Sequence, residues 1–173
     1  MNAIYAEPQT RAASSTASRR IAMCAIASTA AVWLGLLGPA WTYIPPQPQA
    51  NAPAAELSFA ALSAASVGST STAQAAYFGW FAWLFAVAAT ALVVLLARTR
   101  SRVVAVLCTV VGAAQLALTV LAVKGPLPWS VFFDGIANIR LGAVLELIGI
   151  LLLIAGGLLV LVSPNAAPVP NAR

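Results

Sequence analysis

Four long apolar stretches constrain the fold of this chain more than any other feature of its sequence. Each is about as long as the roughly 20 residues that a helix needs to cross the hydrocarbon core of a bilayer. Together they contain one charged residue, Glu146. The stretches are residues 21–43, 77–97, 103–123 and 141–162. We therefore predict an all-α fold, an integral membrane antiparallel four-helix bundle.

The composition supports a membrane location and excludes several kinds of chemistry. Of the 173 residues, 61% are apolar and 8% are charged, whereas a soluble domain has about 25% charged residues. The chain has no His, which excludes His-ligated haem and zinc and any nucleophile activated by a His. Its two Cys are far apart in sequence and form no Cys-x-x-Cys motif. We predict that the protein is not an enzyme and binds neither a cofactor nor a metal.

The remaining segments are predicted to be tails, loops and a turn. They are the tail 1–20, the outer loops 44–76 and 124–140, the turn 98–102 and the tail 163–173. Residues 1–18 and 163–173 lack apolar periodicity, which predicts disorder. The pattern leaves open whether residues 54–67 form a short helix.

The basic residues predict how the chain is oriented. Seven of the nine fall on one side of the predicted spans, and the basic side of a membrane protein faces the cytoplasm. We therefore expect both termini to be cytoplasmic, in the cell (inner) membrane, and we expect no binding of nucleic acid. The residues that most determine this topology are Arg19, Arg20, Arg98, Arg100 and Arg102.

The aromatic residues agree with this orientation. They gather near the opposite, outer boundary, where amphipathic rings are favoured at the level of the headgroups. The members of this aromatic belt are Trp41, Tyr43, Tyr77, Phe78, Trp80, Phe81, Trp83, Trp129, Phe132 and Phe133.

The first stretch also has features of a signal sequence. Arg19-Arg20 precede an apolar run that reaches Gly38-Pro39-Ala40, so cleavage near residue 40 or a twin-arginine export signal is an alternative. Either would leave three helices and the rest of the topology unchanged.

Small residues recur every three or four positions on each predicted helix, which places them on one face. In lipid, such faces let helix backbones approach closely. The four series are Cys24, Ser28, Ala31, Gly35, Gly38 and Thr42; Ala75, Gly79, Ala82, Ala86 and Ala89; Ala105, Cys108, Gly112, Gln115, Thr119 and Ala122; and Gly142, Glu146, Gly149, Leu153 and Gly156. The strongest evidence for such a face is in the last series, where Gly142, Gly149 and Gly156 recur every seven residues.

Glu146 and Gln115 form a candidate intramembrane polar pair. Both lie on these small-residue faces, at depths that agree within about one helical turn, and an amide can donate a hydrogen bond to a carboxyl group. One interpretation is a proton or cation site, since intramembrane acids often mark such pathways. The other is a protonated or hydrogen-bonded acid that fixes helix packing, or an acid that meets another subunit. These structural interpretations are favoured because no relay partners accompany Glu146.

The chain resembles small actinobacterial four-helix (tetraspan) membrane proteins. The resemblance rests on the four spans, the Arg-rich turn 98–102, the outer aromatic belt and the Gly/Ala/Leu-rich closing span from Arg140 to Leu159. Most such proteins have no assigned activity, so the resemblance implies a location more than a function.

From these features we predict an accessory or scaffolding subunit of a cell-envelope or transport complex. Its expected partners are the lipid bilayer and either other membrane subunits or further copies of itself. The alternative is a small transporter or channel that uses Glu146.

Overall fold

The computed structural model describes residues 7–68 and 71–163, and for residues 7–18 and 20 the backbone alone. Short 3₁₀ turns cover Pro48–Ala50 and Gly135–Asn138. The helices and strands, in chain order, are α1 (Glu7–Leu37), β1 (Thr42–Ile44), β2 (Ala55–Leu57), α2 (Phe59–Ser66), α3 (Thr72–Ala76), a π turn (Tyr77–Phe81), α4 (Ala82–Thr99), α5 (Arg102–Lys124), α6 (Trp129–Asp134) and α7 (Leu141–Val162).

Three helices in the described part of the chain are long and apolar enough to cross a membrane. They are Thr72–Thr99, in which α3, the π turn and α4 are continuous, together with α5 and α7. The apolar part of α1, Ile21–Leu37, is shorter. At 1.5 Å per residue it measures about 25 Å, against roughly 30 Å for the hydrocarbon core. The fold is thus compatible with a membrane protein, and the first predicted span is shorter than the sequence suggested.

Helix α1 differs from its prediction at both ends. It ends at Leu37, not at residue 43, because Pro39 cannot continue a helix and disfavours helical backbone in the residue before it. It begins at Glu7, so the predicted disorder is wrong for residues 7–18, while residues 1–6 lie outside the described part.

The other boundaries lie closer to the prediction. Helix α7 has the predicted bounds, and α5 extends one residue further at each end. The second long helix begins at Thr72, five residues before the predicted start. The predicted disorder of the C-terminal tail falls almost wholly on residues 164–173, outside the described part.

The four long helices pack side by side, each antiparallel to its neighbours. Helix α7 lies between α1 and α5, and α4 contacts the same two helices from the other side. The direction is clear from two close approaches between α1 and α7: Gly35 faces Glu146, and Val32, nearer the start of α1, faces Gly149, further along α7.

A folded cap closes one end of the bundle, which we call the aromatic end. The cap consists of residues 38–68 and 125–140. In it β1 and β2 form an antiparallel pair, with Tyr43 opposite Glu56. A further bridge joins Thr42 to Ile139, so the two predicted loops form one unit. The structure is mostly helical, as predicted, and the two three-residue strands are an addition that the sequence did not predict. Helix α2 supplies a short helix within residues 54–67.

The small-residue faces are largely buried as predicted. All six members of the series on α5 are buried, and so are all five on α7. Three glycines depart from the prediction. Gly38 and Gly79 are exposed, and a Cβ added at Gly156 would meet nothing within 4 Å. The contact expected of Gly156 is made by its neighbour Gly157, whose Cβ would lie 2.7 Å from the carbonyl oxygen of Ala105.

Candidate functional site: a buried polar cluster

Four polar side chains meet inside the bundle, towards its aromatic end. Glu146 on α7 and Gln115 on α5 are 0% exposed, while Thr119 on α5 and Tyr77 in the π turn are 1% exposed. We call these four residues the polar cluster. Burying polar groups in an apolar interior is costly unless they form hydrogen bonds, so the bonds within the cluster determine what it can do.

The structure brings the two residues of the predicted pair into direct contact. Nε2 of Gln115 donates a hydrogen bond of 2.7 Å to Oε1 of Glu146. The other oxygen of each group, Oε1 of Gln115 and Oε2 of Glu146, is buried and has no hydrogen-bond partner among the described residues. One hydrogen bond therefore joins two groups that each retain an unused oxygen.

The other two members of the cluster form a directed chain of hydrogen bonds. The hydroxyl of Thr119 donates to the carbonyl oxygen of Gln115 at 2.8 Å. Oη of Tyr77 lies 2.8 Å from Oγ1 of Thr119. Because a threonine hydroxyl has one hydrogen and Thr119 has used it, Tyr77 must be the donor in the second bond.

The π turn is what places Tyr77 in this cluster. The amide of Ala82 donates to the carbonyl of Tyr77, a wider loop than the α-helical bond. The extra residue rotates the helix at this point, so that both Tyr77 and Phe78 are buried and Gly79 is turned outwards. From the sequence, Tyr77 is predicted only as a member of the aromatic belt, because the spacing of small residues gives no sign of a π turn.

Helix α1 closes the cluster from the side opposite α5. A Cβ added at Gly35 would lie 2.9 Å from both the amide nitrogen of Glu146 and the carbonyl oxygen of Gly142. One turn further along α7, the hydroxyl of Ser28 donates to the carbonyl of Gly149 at 2.8 Å. Backbone thus packs directly against backbone beside Glu146, which explains why its side chain is completely enclosed.

The basic residue closest in sequence to Glu146 is engaged elsewhere. Arg140 lies just before α7, and its Nε is 3.5 Å from Oε1 of Glu56. Its guanidinium also lies over the ring of Tyr43, 4.7 Å from the centroid. Both contacts are at the surface of the cap, where an ion pair is worth at most about 1 kcal/mol. Arg140 therefore orders the cap and gives Glu146 no counter-charge.

A cavity of about 80 Å³ lies between the cap and the bundle. Several of its lining residues are one turn from a member of the polar cluster, but no member of the cluster lines it. The lining residues are Trp41, Thr42, Leu62, Gln74, Phe78, Val123, Ile139 and Ala143.

Three of the ten residues of the predicted aromatic belt are buried, three are exposed and four are half-buried. Trp41, Tyr77 and Phe78 are buried and, with Phe59, belong to the core under the cap. Trp80, Trp129 and Phe133 are exposed, by 55%, 48% and 60%. The buried residues therefore stabilise the fold, and the exposed ones are accessible as a belt at the headgroups requires.

The predicted topology residues lie at the other end of the bundle, which we call the arginine end. Arg98 and Arg102 flank the turn between α4 and α5, and Arg100 lies within it. Arg19 precedes Ile21, which shares a buried cluster with Leu96 at this end. Arg19, Arg98, Arg100 and Arg102 are exposed, whereas the side chain of Arg20 lies outside the described set.

The chemistry available to the polar cluster is limited to hydrogen bonding and proton exchange. Over the described residues, no group of three acidic, His or Cys side chains is placed to hold a metal ion. No family model, curated protein or solved structure matches this chain, so its function is argued from its own geometry.

Proposed function

We propose that this protein is a multi-pass membrane protein that acts as a non-enzymatic accessory or scaffolding subunit of a cell-envelope or transport complex. In this proposal α1 also crosses the bilayer, so that both termini are cytoplasmic and the cap faces outwards. The resemblance to actinobacterial tetraspan proteins is in keeping with the membrane location in this proposal.

One observation carries the proposal: Glu146, the one acid in the four predicted spans, is completely enclosed and bonded to an amide. A pathway for ions or protons needs access from both sides, but Glu146 is 0% exposed and the nearby cavity does not reach it. A buried interhelical hydrogen bond of this kind stabilises helix packing in lipid. Glu146 therefore acts as a structural element.

The cap supplies a surface for a partner. Five large apolar residues on and around α6 are between 47% and 60% exposed, and Lys124 lies beside them, 5.1 Å from the ring centroid of Trp129. Aromatic side chains are enriched in protein interfaces. The five residues are Leu127, Trp129, Val131, Phe133 and Ile136.

The alternative function, a small transporter or channel, has one observation in its favour. The unpartnered oxygen of Glu146 and the neighbouring hydroxyls of Tyr77 and Thr119 resemble the start of a proton relay. In this alternative the cap would open to connect the cavity with Glu146.

Complementation of a deletion strain separates the two functions. Glu146→Gln keeps the shape and the hydrogen bonding of the side chain but cannot ionise, so a structural Glu146 predicts full activity for this variant. Glu146→Leu, expressed at the same level, should be weaker because it leaves Gln115 without its partner. A folded but inactive Glu146→Gln protein would instead establish the transporter.

Purification in a mild detergent tests the accessory role directly. We expect a larger complex that contains a second protein, and we expect Trp129→Ala together with Phe133→Ala to release it. Trp41→Phe, which is buried, serves as a control for general damage to the cap. Recovery of the protein alone or only with copies of itself would contradict an accessory role.

The orientation is tested with single cysteines in a background that carries Cys24→Ala and Cys108→Ala. Ser130→Cys in α6 should react with an impermeant thiol reagent in intact cells. Ser101→Cys, in the turn between α4 and α5, should react only after lysis. The reverse labelling would overturn the proposed topology.

A further inference from the structure

Each side chain of the polar pair has one buried oxygen without a hydrogen-bond partner among the described residues. Whether these two oxygens can bond to each other depends on the protonation state of Glu146. An ionised carboxylate is only an acceptor, and the amide oxygen of Gln115 is also only an acceptor. In that state Oε2 of Glu146 and Oε1 of Gln115 cannot bond to each other, and both remain unsatisfied. A single proton on Oε2 turns it into a donor and changes this balance.

We propose that Glu146 holds a proton on Oε2 and donates it to Oε1 of Gln115. The bond from Nε2 of Gln115 to Oε1 of Glu146 is already present at 2.7 Å. The two unused oxygens belong to the same two planar groups, so a second bond closes a ring in which acid and amide each donate once and accept once. This reciprocal pair uses all the buried oxygens of both side chains.

The surroundings of the pair favour the neutral acid, because no described residue places a positive charge beside Glu146. Helix α1 presents backbone, with Gly35 against the start of the turn that carries Glu146. Helix α5 presents Gln115 and Thr119, which are neutral, and the π turn presents the phenol of Tyr77. Arg140, at the start of α7, is held at the surface by Glu56. An uncompensated charge in such an interior is far more costly than a bonded neutral group.

Tyr77 is the competing acceptor for this proton, and the hydrogen-bond directions favour Gln115. The phenol already donates to Thr119, so it is partly satisfied. Oε1 of Gln115 has no other partner among the described residues. The proposal therefore assigns the proton to the bond between Glu146 and Gln115, and Tyr77 takes no part in it.

Infrared spectroscopy of the purified full-length protein in lipid nanodiscs tests the proposal without an activity assay. At neutral pH ordinary carboxyl groups are ionised, and the sequence has only four acidic side chains. We expect the C=O stretch of a protonated carboxyl group, with a downshift in D₂O. Glu146→Gln should remove this band, while Glu56→Gln, which alters an exposed acid, should leave it unchanged. Absence of the band in the unmodified protein, or its survival in Glu146→Gln, would overturn the proposal.

The partner of the proton is tested by two further variants. Gln115→Leu removes the acceptor, so the band should move to higher frequency, as expected of a carboxyl group that has lost its hydrogen bond. Tyr77→Phe should leave the frequency unchanged. If Tyr77→Phe moved the band and Gln115→Leu did not, the proton would belong to a bond with Tyr77 and the reciprocal pair would be wrong. The band of the unmodified protein tests the protonated state even if Gln115→Leu fails to fold.

Discussion

The aromatic end and the arginine end of the bundle are built from different kinds of contact. At the aromatic end Trp41 is 1% exposed, lies 5.2 Å from the ring of Phe59 and 5.8 Å from that of Phe78, and donates to the carbonyl of Gly35. At the arginine end the buried cluster consists of aliphatic and small residues: Ile21, Ala25, Ala89, Val93, Leu96, Ala105, Cys108, Leu153 and Val160.

This difference indicates how the register of the bundle is set. Hydrogen bonds and ring contacts are directional, so a small shift of one helix breaks them. Contacts between aliphatic side chains are non-directional and tolerate adjustment. We infer that the contacts at the aromatic end determine how the helices are aligned along their axes. The aliphatic side chains at the arginine end then pack in whatever way that alignment allows.

The largest effect is expected for Trp41, the centre of the aromatic end. Trp41→Ala should lower the free energy of unfolding by about 3–5 kcal/mol, as for other fully buried aromatic side chains. Trp129→Ala, the same change at an exposed position of the cap, should cost less than about 0.5 kcal/mol. Denaturant titration in detergent micelles measures both. If the two variants lost the same free energy of unfolding, Trp41 would not be the centre of the aromatic end.

Two glycines of α7 compare a close backbone approach at the aromatic end with an open position at the arginine end. The Cβ of Gly142→Ala would lie 2.5 Å from the carbonyl oxygen of Pro39 and 2.9 Å from that of Ala40, both rigid backbone atoms. We expect a loss of about 1–3 kcal/mol from this overpacking. Gly156→Ala, at the arginine end, meets nothing within 4 Å and should be neutral or up to about 1 kcal/mol stabilising. An equal decrease in the melting temperatures of the two variants would contradict the close approach at Gly142.

The polar pair should contribute less than either of these contacts. Glu146→Gln should change stability by less than about 0.6 kcal/mol, the mean measured for an interhelical hydrogen bond in a membrane, because the new amide can still accept from and donate to Gln115. Glu146→Leu should cost more, because it leaves Gln115 unsatisfied. Adding Gln115→Leu to it should then have little further effect, since the pair is already broken. A fully additive double mutant would show that the two side chains act independently.

The smallest effect is expected in the turn at the arginine end. Arg100 ends α4 with a left-handed backbone, φ 48°, a conformation that costs a side chain more than it costs glycine. Arg100→Gly should therefore stabilise by up to about 1 kcal/mol. Arg98→Gly removes the same charge inside the last turn of α4 and should destabilise by about 0.5–1 kcal/mol. If Arg100→Gly and Arg98→Gly changed the free energy of unfolding in the same direction, the effect at Arg100 would not come from its backbone conformation.

Where helical periodicity alone decides the structure, the sequence was sufficient. The buried face of α5 and the bounds of α7 follow from spacing and apolar length. The contact of Gln115 with Glu146 follows from depth along two antiparallel helices. These features are local or depend on a simple geometric relation between neighbours.

Where the backbone leaves the regular helix, periodicity predicted the wrong residues. The apolar run of the first span continues to residue 43, but the helix ends at Leu37, and hydropathy does not distinguish a helix from the extended strand that follows. The Gly38-Pro39 pair was the available signal. The burial of Tyr77 depends on a π turn. Gly157, and not Gly156, makes the close contact with α5, because α7 packs against α5 as well as against α1. Such features arise only from tertiary packing.

The backbone hydrogen bonds between the segment after α1 and the start of α7 also determine when the helices can pack during synthesis. The amide of Gly142 donates to the carbonyl of Ala40 at 2.8 Å, and that of Arg140 donates to the carbonyl of Trp41 at 2.9 Å. Because chains are synthesised from the N-terminus, about a hundred residues separate the two sides of this join during translation. Until α7 has been synthesised, Gly35 lacks the backbone of α7 that packs against it, and Gln115 lacks its hydrogen-bond partner Glu146. The packing of the four long helices can therefore form only after α7 has been made.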